Sequence, residues 1–301
     1  MPTTGEAVMT ETSARTLRVA EPSDERHVLT AAEFDVLWER LGLGPTPVVL
    51  RLDSPGRTRT ERREIEAAGW QALRRRGLAG PTGAHPELTR LLHLLARPSV
   101  ALELRGWWGR TVRAVAAGDS DAGVLAVRQD GSLTVRACGS LPSALLRVLP
   151  SAPAGPGRAT TLPTSVLSAA LGAAPGGPPP GPSRGTSPLA TVGGLRSALV
   201  AHGVAAADAG LLARMLGSTE KRAQLVALTG DRWGGTTRAG GVLGVLDGAR
   251  GRYLITRSTG EDGVEWTTVA PTDDRRLRHR LGELLAGAIP RDALPADALP
   301  A

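Results

Sequence analysis

The sequence predicts an α+β protein in which a central antiparallel β-sheet is flanked by helical bundles and is built from two halves related by a pseudo-two-fold axis. Three observations lead there. Apolar residues recur at helical spacing up to Pro98 and alternate from Ser99 onwards. Eleven of the seventeen residues 172–188 are Gly or Pro, a density that divides the chain. Beyond that division the order helix, β-meander, helix returns.

Residues 1–27 are polar and read as a disordered tail. Thr30-Ala31-Ala32-Glu33 is a capping box, with Leu29 and Phe34 placed as a hydrophobic staple around it. The helix that follows carries Phe34, Leu37, Trp38 and Leu41 on one face and stops at Gly42. Pro45 and Pro47 lead into Val48 to Leu52, which reads as a short apolar strand. A second capping box, Thr58 to Glu61, opens a helix running through Ile65, Ala68 and Ala72 to Gly77. A third helix begins at Pro86 and carries Leu88, Leu91, Leu92 and Leu95 before Pro98.

The alternating region predicts a four-strand meander. Val100, Leu102 and Leu104 share a face, Gly106 to Arg110 form a loop, and Val112, Ala114 and Ala116 return. Val124 to Val127 is apolar on both faces, as a central strand is, and Asp130-Gly131 is a two-residue hairpin signal leading to Leu133 and Val135. Leu141 to Leu149 closes the unit as a helix. The N-terminal half therefore spans 28–150, a Pro/Gly-rich linker 151–188, the C-terminal half 189–288 and a disordered tail 289–301.

In the second half, a helix with Leu211, Leu212, Met215 and Leu216 leads into a strand at Leu225 to Leu228. Arg232-Trp233-Gly234-Gly235 stands where Trp107-Trp108-Gly109-Arg110 stood, and Asp262-Gly263 repeats Asp130-Gly131. Asp273 to Leu285 supplies the closing helix. Duplicated units of this kind join edge to edge, so that neither inner edge stays open to aggregation.

The 301 residues are 41% hydrophobic and 3% aromatic, so the core is built from Leu, Val and Ala with a few Trp. The lone Cys138 excludes an intramolecular disulfide and any cysteine-rich zinc site, and reads as a small buried residue at a strand end. No signal peptide and no run of about 18 apolar residues is found, so the cytoplasm is the expected compartment. The net charge of +7 and pI near 11.0 raise nucleic-acid binding as an alternative. Arginines spread among acids, as in Glu61-Arg62-Arg63-Glu64, argue against it.

Nothing in the sequence assembles an active site. His27, His85, His93, His202 and His279 have no mutual metal-ligand spacing, so no metal or cofactor is expected. Ser218-Thr219-Glu220-Lys221 matches the bare S-x-x-K of serine hydrolases, but it joins a helix end to a strand, and the companion K-T-G is absent. Gly155-Pro156-Gly157 and Gly240-Gly241-Val242-Leu243-Gly244 are not phosphate loops, and the second marks a bend or bulge in a long strand.

The run from Leu29 to Gly44, the segment Gly56 to Glu61, Gly77-Leu78, and Glu87-Leu88 with Leu91 to Pro98 resemble the EspG family. Gly251-Arg252-Tyr253-Leu254 and Trp266 to Pro271 extend the resemblance to the second half. It covers roughly residues 28–288 and implies a non-enzymatic cytosolic chaperone of an actinobacterial type VII (ESX) secretion system. Such chaperones bind the apolar helical tip of a PPE protein in a PE–PPE heterodimer. The resemblance places the client on the loop between two meander strands and on the C-terminal helices. Here that loop holds Trp107, Trp108 and Arg110. The two tryptophans are either client anchors or cover for the protein's own helices, and Arg110 either donates a hydrogen bond or is solvated. Trp233 reads as core or sheet cover.

Overall fold

The computed structural model describes residues 25–52, 55–119, 122–172, 191–217, 219–231 and 235–288. The expected tails, apart from residues 25–27, lie outside the described residues. So do Ser218, Trp233 and the Pro/Gly-densest part of the linker.

A short strand β1 (Arg26–Thr30) leads directly into α1 (Ala31–Arg40). The Thr30 side chain accepts from the Glu33 amide while Glu33 accepts from the Thr30 amide, so the expected capping box is formed. The stapling pair Leu29 and Phe34 is buried. The strand expected at Val48 to Leu52 is instead a single 3₁₀ turn, Val48–Leu50, in which the Leu50 amide donates to Pro47. The turn closes on the Pro47 carbonyl and points Val49 and Leu50 into the core.

Helix α2 (Arg59–Arg75) opens on the Thr58–Glu61 box. Its buried residues are Gly69 and Leu73, and Ala68 is exposed, so the inner face is rotated from the expected one. At Gly69 a Cβ would stand 3.0 Å from Val36 Cγ2, so glycine permits the close approach of α1 and α2. Arg62 ties the pair further by reaching Asp35 and Glu39 on α1 as well as Glu66. Helix α3 (Pro86–Ala96) buries the four expected leucines.

The meander is β2 (Val100–Trp107), β3 (Thr111–Gly118), β4 (Gly123–Gln129) and β5 (Ser132–Cys138), followed by α4 (Leu141–Leu146). Asp130 and Gly131 turn β4 into β5 with φ of 49° and 77°, the left-handed pair a two-residue hairpin requires.

The expected linker is corrected in its first part, because residues 160–170 carry β6 (Thr160–Pro163) and α5 (Thr164–Ala170). Thr160 and Thr161 are β-branched, and burial alternates from Thr160 through Leu162. Pro163 is tolerated because β6 is an edge strand. The Thr161–Thr268 and buried Thr164–Thr267 hydroxyl pairs, at 2.9 and 2.8 Å, fasten it to its neighbour. The chain continues through α6 (Val192–Ala201), α7 (Ala206–Leu216), β7 (Thr219–Gly230), β8 (Thr236–Gly248), β9 (Gly251–Thr259), β10 (Glu265–Pro271) and α8 (Asp274–Ala286). Asp262-Gly263 sits in a longer loop, where the Gly260 amide donates to Val264, and is not a two-residue hairpin.

Among the described residues, ten strands form one antiparallel sheet in the order β1-β5-β4-β3-β2-β7-β8-β9-β10-β6. The order reads as a strand series and its mirror, with β2 and β7 at the seam. Each half runs strand, three helices, four strands, helix. The repeat unit thus begins one strand earlier than the sequence suggests, at β1 and at β6. The outer edges are these two short strands, five and four residues long, which limits edge-to-edge pairing.

The register separates the faces. Leu225 pairs with Leu104 on one side and Leu243 on the other, and the three lie with Val245 and Leu254 in a core covered by α4 and α8. On the opposite face α1–α3 cover one end of the sheet and α5–α7 the other.

Candidate partner-binding site

Strands β2, β7 and β8 cross the middle of the second face, between the two helical lobes. Pairing sets their side chains in rows: Trp107–Arg222–Leu246, Arg105–Gln224–Gly244 and Glu103–Val226–Val242. Arg105 and Trp107 are exposed, and Arg222, Gln224, Val242, Gly244 and Leu246 are half-buried. This lane is an apolar and cationic surface at the sheet's centre.

Trp107 ends β2 on this face with 39% of its surface exposed. The Arg222 guanidinium lies 5.7 Å from its ring centroid, within cation–π range. Trp108, the first residue past β2, continues the strand's alternation and points the other way. Its ring lies over Gly106, where a Cβ would stand 2.1 Å from Cζ3, and it packs against the core beneath α4 and α8. Trp108 thus packs half-buried against the core, and Trp107 is the exposed aromatic. Gly109, at φ 81°, makes the turn, and the Trp108 amide donates to the Arg110 carbonyl. Arg110 pairs with Asp130 at 3.1 Å; both are more than half exposed, so water competes for the contact and a partner's carboxylate could replace it at little cost.

Sequence reasoning missed Glu103, Arg105 and Arg222. The available signal was charge within the strands β2 and β7. Arg113 and Arg128 are cross-strand partners beside Arg105 on the same face. Burial, with Arg105 and Arg128 nearby, holds the Arg113 guanidinium below its usual range. Burial pushes the Glu103 carboxyl upward, against the smaller opposing pull of Arg105 at 3.7 Å and of Arg238.

The other candidate chemistries fare differently. Lys221 lies within strand β7 opposite Asp247, and not on a helix. Burial pushes the Cys138 thiol up to about 11, which leaves it protonated and unreactive at neutral pH. Gly240 and Gly241 are the expected bulge: Val226 pairs with Val242 and Ala227 with Ala239, and Gly240 has φ of 70°. The histidines are not all dispersed, however. His27 and His85, 58 residues apart in sequence, stand with ring centroids 5.5 Å apart.

The chain belongs to the EspG family, whose sequence model matches residues 30–283. Its fold is similar to a solved structure of the Mycobacterium tuberculosis type VII secretion system chaperone EspG5 in complex with the PE25-PPE41 dimer. The TM-score is 0.65 at 16% identity, over 89% of this chain and 98% of the other. No curated protein sequence matches the chain. Among the described residues no helix is long and apolar enough to cross a membrane.

Proposed function

We propose that this protein is a cytosolic, non-enzymatic chaperone of a type VII secretion system. It binds the apolar helical tip of a PE–PPE-like heterodimer, keeps it soluble and directs it to export. The observation that carries the reading is the exposed Trp107 beside a half-buried apolar and cationic lane, on a fold shared with a chaperone solved with such a dimer. An apolar helix tip in water is an aggregation hazard, and a large aromatic at the edge of a partly dry surface supplies an anchor for it. Trp107 and Arg110 are assigned to the partner contact, and Trp108 holds the loop in place from the core side.

Co-expression with a PE–PPE pair encoded in the same genome tests this. A stable complex by size exclusion with light scattering is expected, and Trp107→Ala should weaken it at least about tenfold. A chain that retains no PE–PPE pair, or that binds one equally well without Trp107, would overturn the assignment. Salt-sensitive binding of RNA or DNA in place of such a pair would favour the electrostatic alternative.

A further inference from the structure

We infer that Glu25, His27 and His85 form a binding site for a divalent transition-metal ion of zinc type, which clips edge strand β1 to the start of α3. His27 alternates inward on β1 and is only 2% exposed. His85 is the residue before Pro86 and caps α3 without a side-chain hydrogen bond to the helix. Two ring nitrogens, His27 Nε2 and His85 Nδ1, are buried and have no hydrogen-bond partner among the described residues. A single orphaned imidazole nitrogen is uncommon in a folded chain, and two in neighbouring rings mark a place where an ion or a water is owed.

The third group completes a donor set. One carboxylate oxygen of Glu25 and one nitrogen from each imidazole lie within 4.8 Å of one another; Glu25 Oε1 stands 3.9 Å from His27 Nδ1, the ring's other nitrogen, so ligation through the orphaned Nε2 requires the ring or the carboxylate to turn. Ligand bonds of about 2.0–2.2 Å in a tetrahedral site bring donors to roughly 3.3 Å, so the set must contract by on the order of 1 Å. Glu25 can supply most of that movement, because its side chain is 52% exposed and precedes the strand. Two imidazoles and one carboxylate suit zinc and its neighbours and disfavour magnesium or calcium, which take oxygen. Glu87, the other nearby carboxylate, already holds Arg90 through two hydrogen bonds at 2.8 and 2.9 Å, which leaves water as the fourth ligand.

The full chain, freed of metal with a chelator and then titrated calorimetrically with zinc, should take up one equivalent with micromolar or tighter affinity and melt at a higher temperature. Glu25→Gln and His85→Asn should each weaken uptake at least about tenfold. His279→Asn, at the surface pair in which His279 lies 3.3 Å from Glu283, should leave it unchanged. Glu25 is half-exposed, so its variant tests the site without disturbing the fold. Absence of stoichiometric uptake, or uptake lost in His279→Asn and kept in His85→Asn, would overturn the site.

Discussion

Arg252 holds Asp247 through two parallel hydrogen bonds, Nε to Oδ1 at 2.7 Å and Nη2 to Oδ2 at 2.8 Å, with its side chain entirely buried. The same guanidinium reaches Asp274 at the start of α8 and the carbonyl of Pro150. The Arg252 main chain receives the segment before β6: its amide donates to Pro153 and its carbonyl accepts from Gly155. One residue of β9 therefore fixes the crossing between the two halves. Removing one partner of such a pair strands a charge in the core. Asp247→Leu or Arg252→Met alone should cost about 3–5 kcal/mol, and the double variant Arg252→Met, Asp247→Leu should recover a good part of it. Chemical denaturation of the four species gives the coupling.

Gly251 precedes it at φ 118°, and a Cβ there would lie 2.7 Å from the Gly155 nitrogen. Gly155 in turn lies under the Tyr253 ring, whose hydroxyl donates to Pro156 at 3.2 Å. Gly251→Ala combines backbone strain with a main-chain clash and should destabilise by about 2 kcal/mol or more. Hydrogen exchange should show the loss first at residues 150–157.

The two neighbouring tryptophans should separate cleanly. Trp107→Ala is expected to change stability by less than about 1 kcal/mol, since the ring is exposed. Trp108→Ala, which empties a space over Gly106, should cost roughly 2 kcal/mol or more. Thermal melts of both variants, read beside their client binding, check the division of labour.

Glu103 gives a pH signature. Burial raises its carboxyl above the ordinary 4.5, so the folded chain holds this proton more tightly than the unfolded chain does. Its contribution to stability is then greatest below that ordinary value, declines as pH rises towards the folded pKa, and stays low above it. Glu103→Gln cannot ionise; it should be more stable than the parent at pH 7, with the difference closing near pH 4. Urea midpoints across that range measure it.

The caps offer a smaller, local check. Thr58→Ala removes the acceptor of the Glu61 amide at the start of α2 and should cost about 1 kcal/mol, visible in the same urea midpoints.

Helix starts, the meander and the duplication were legible because each rests on short-range rules: capping boxes, alternation and a glycine turn. The edge strands were not. β1 and β6 are five and four residues long and gain their structure from β5 and β10, more than a hundred residues away in each case. Val48 to Leu50 has a strand's composition, but the 3₁₀ turn after Pro47 suffices to bury Val49 and Leu50. At the site, sequence located the Trp107–Trp108 loop but not the opposite orientations of its rings, which follow from where β2 ends. The Glu25, His27 and His85 cluster was illegible for the same reason as β1, since it depends on that strand docking beside α3. The family resemblance drew on Gly251-Arg252-Tyr253-Leu254, and the structure explains that run as the fastening of the crossing segment.

The seam between β2 and β7 has a consequence for how such a protein can diversify. Either half alone would present a bare edge, eight residues long in β2 and twelve in β7, and would have to recruit a twin to satisfy it. Joined in one chain, the halves meet at a local concentration set by the connection, independent of how much protein the cell makes. Covalent union also releases the copies from sameness. A change in the loop after β2 is no longer imposed on the loop after β7, so one end of the sheet can be retuned to a new passenger while its counterpart goes on closing the fold.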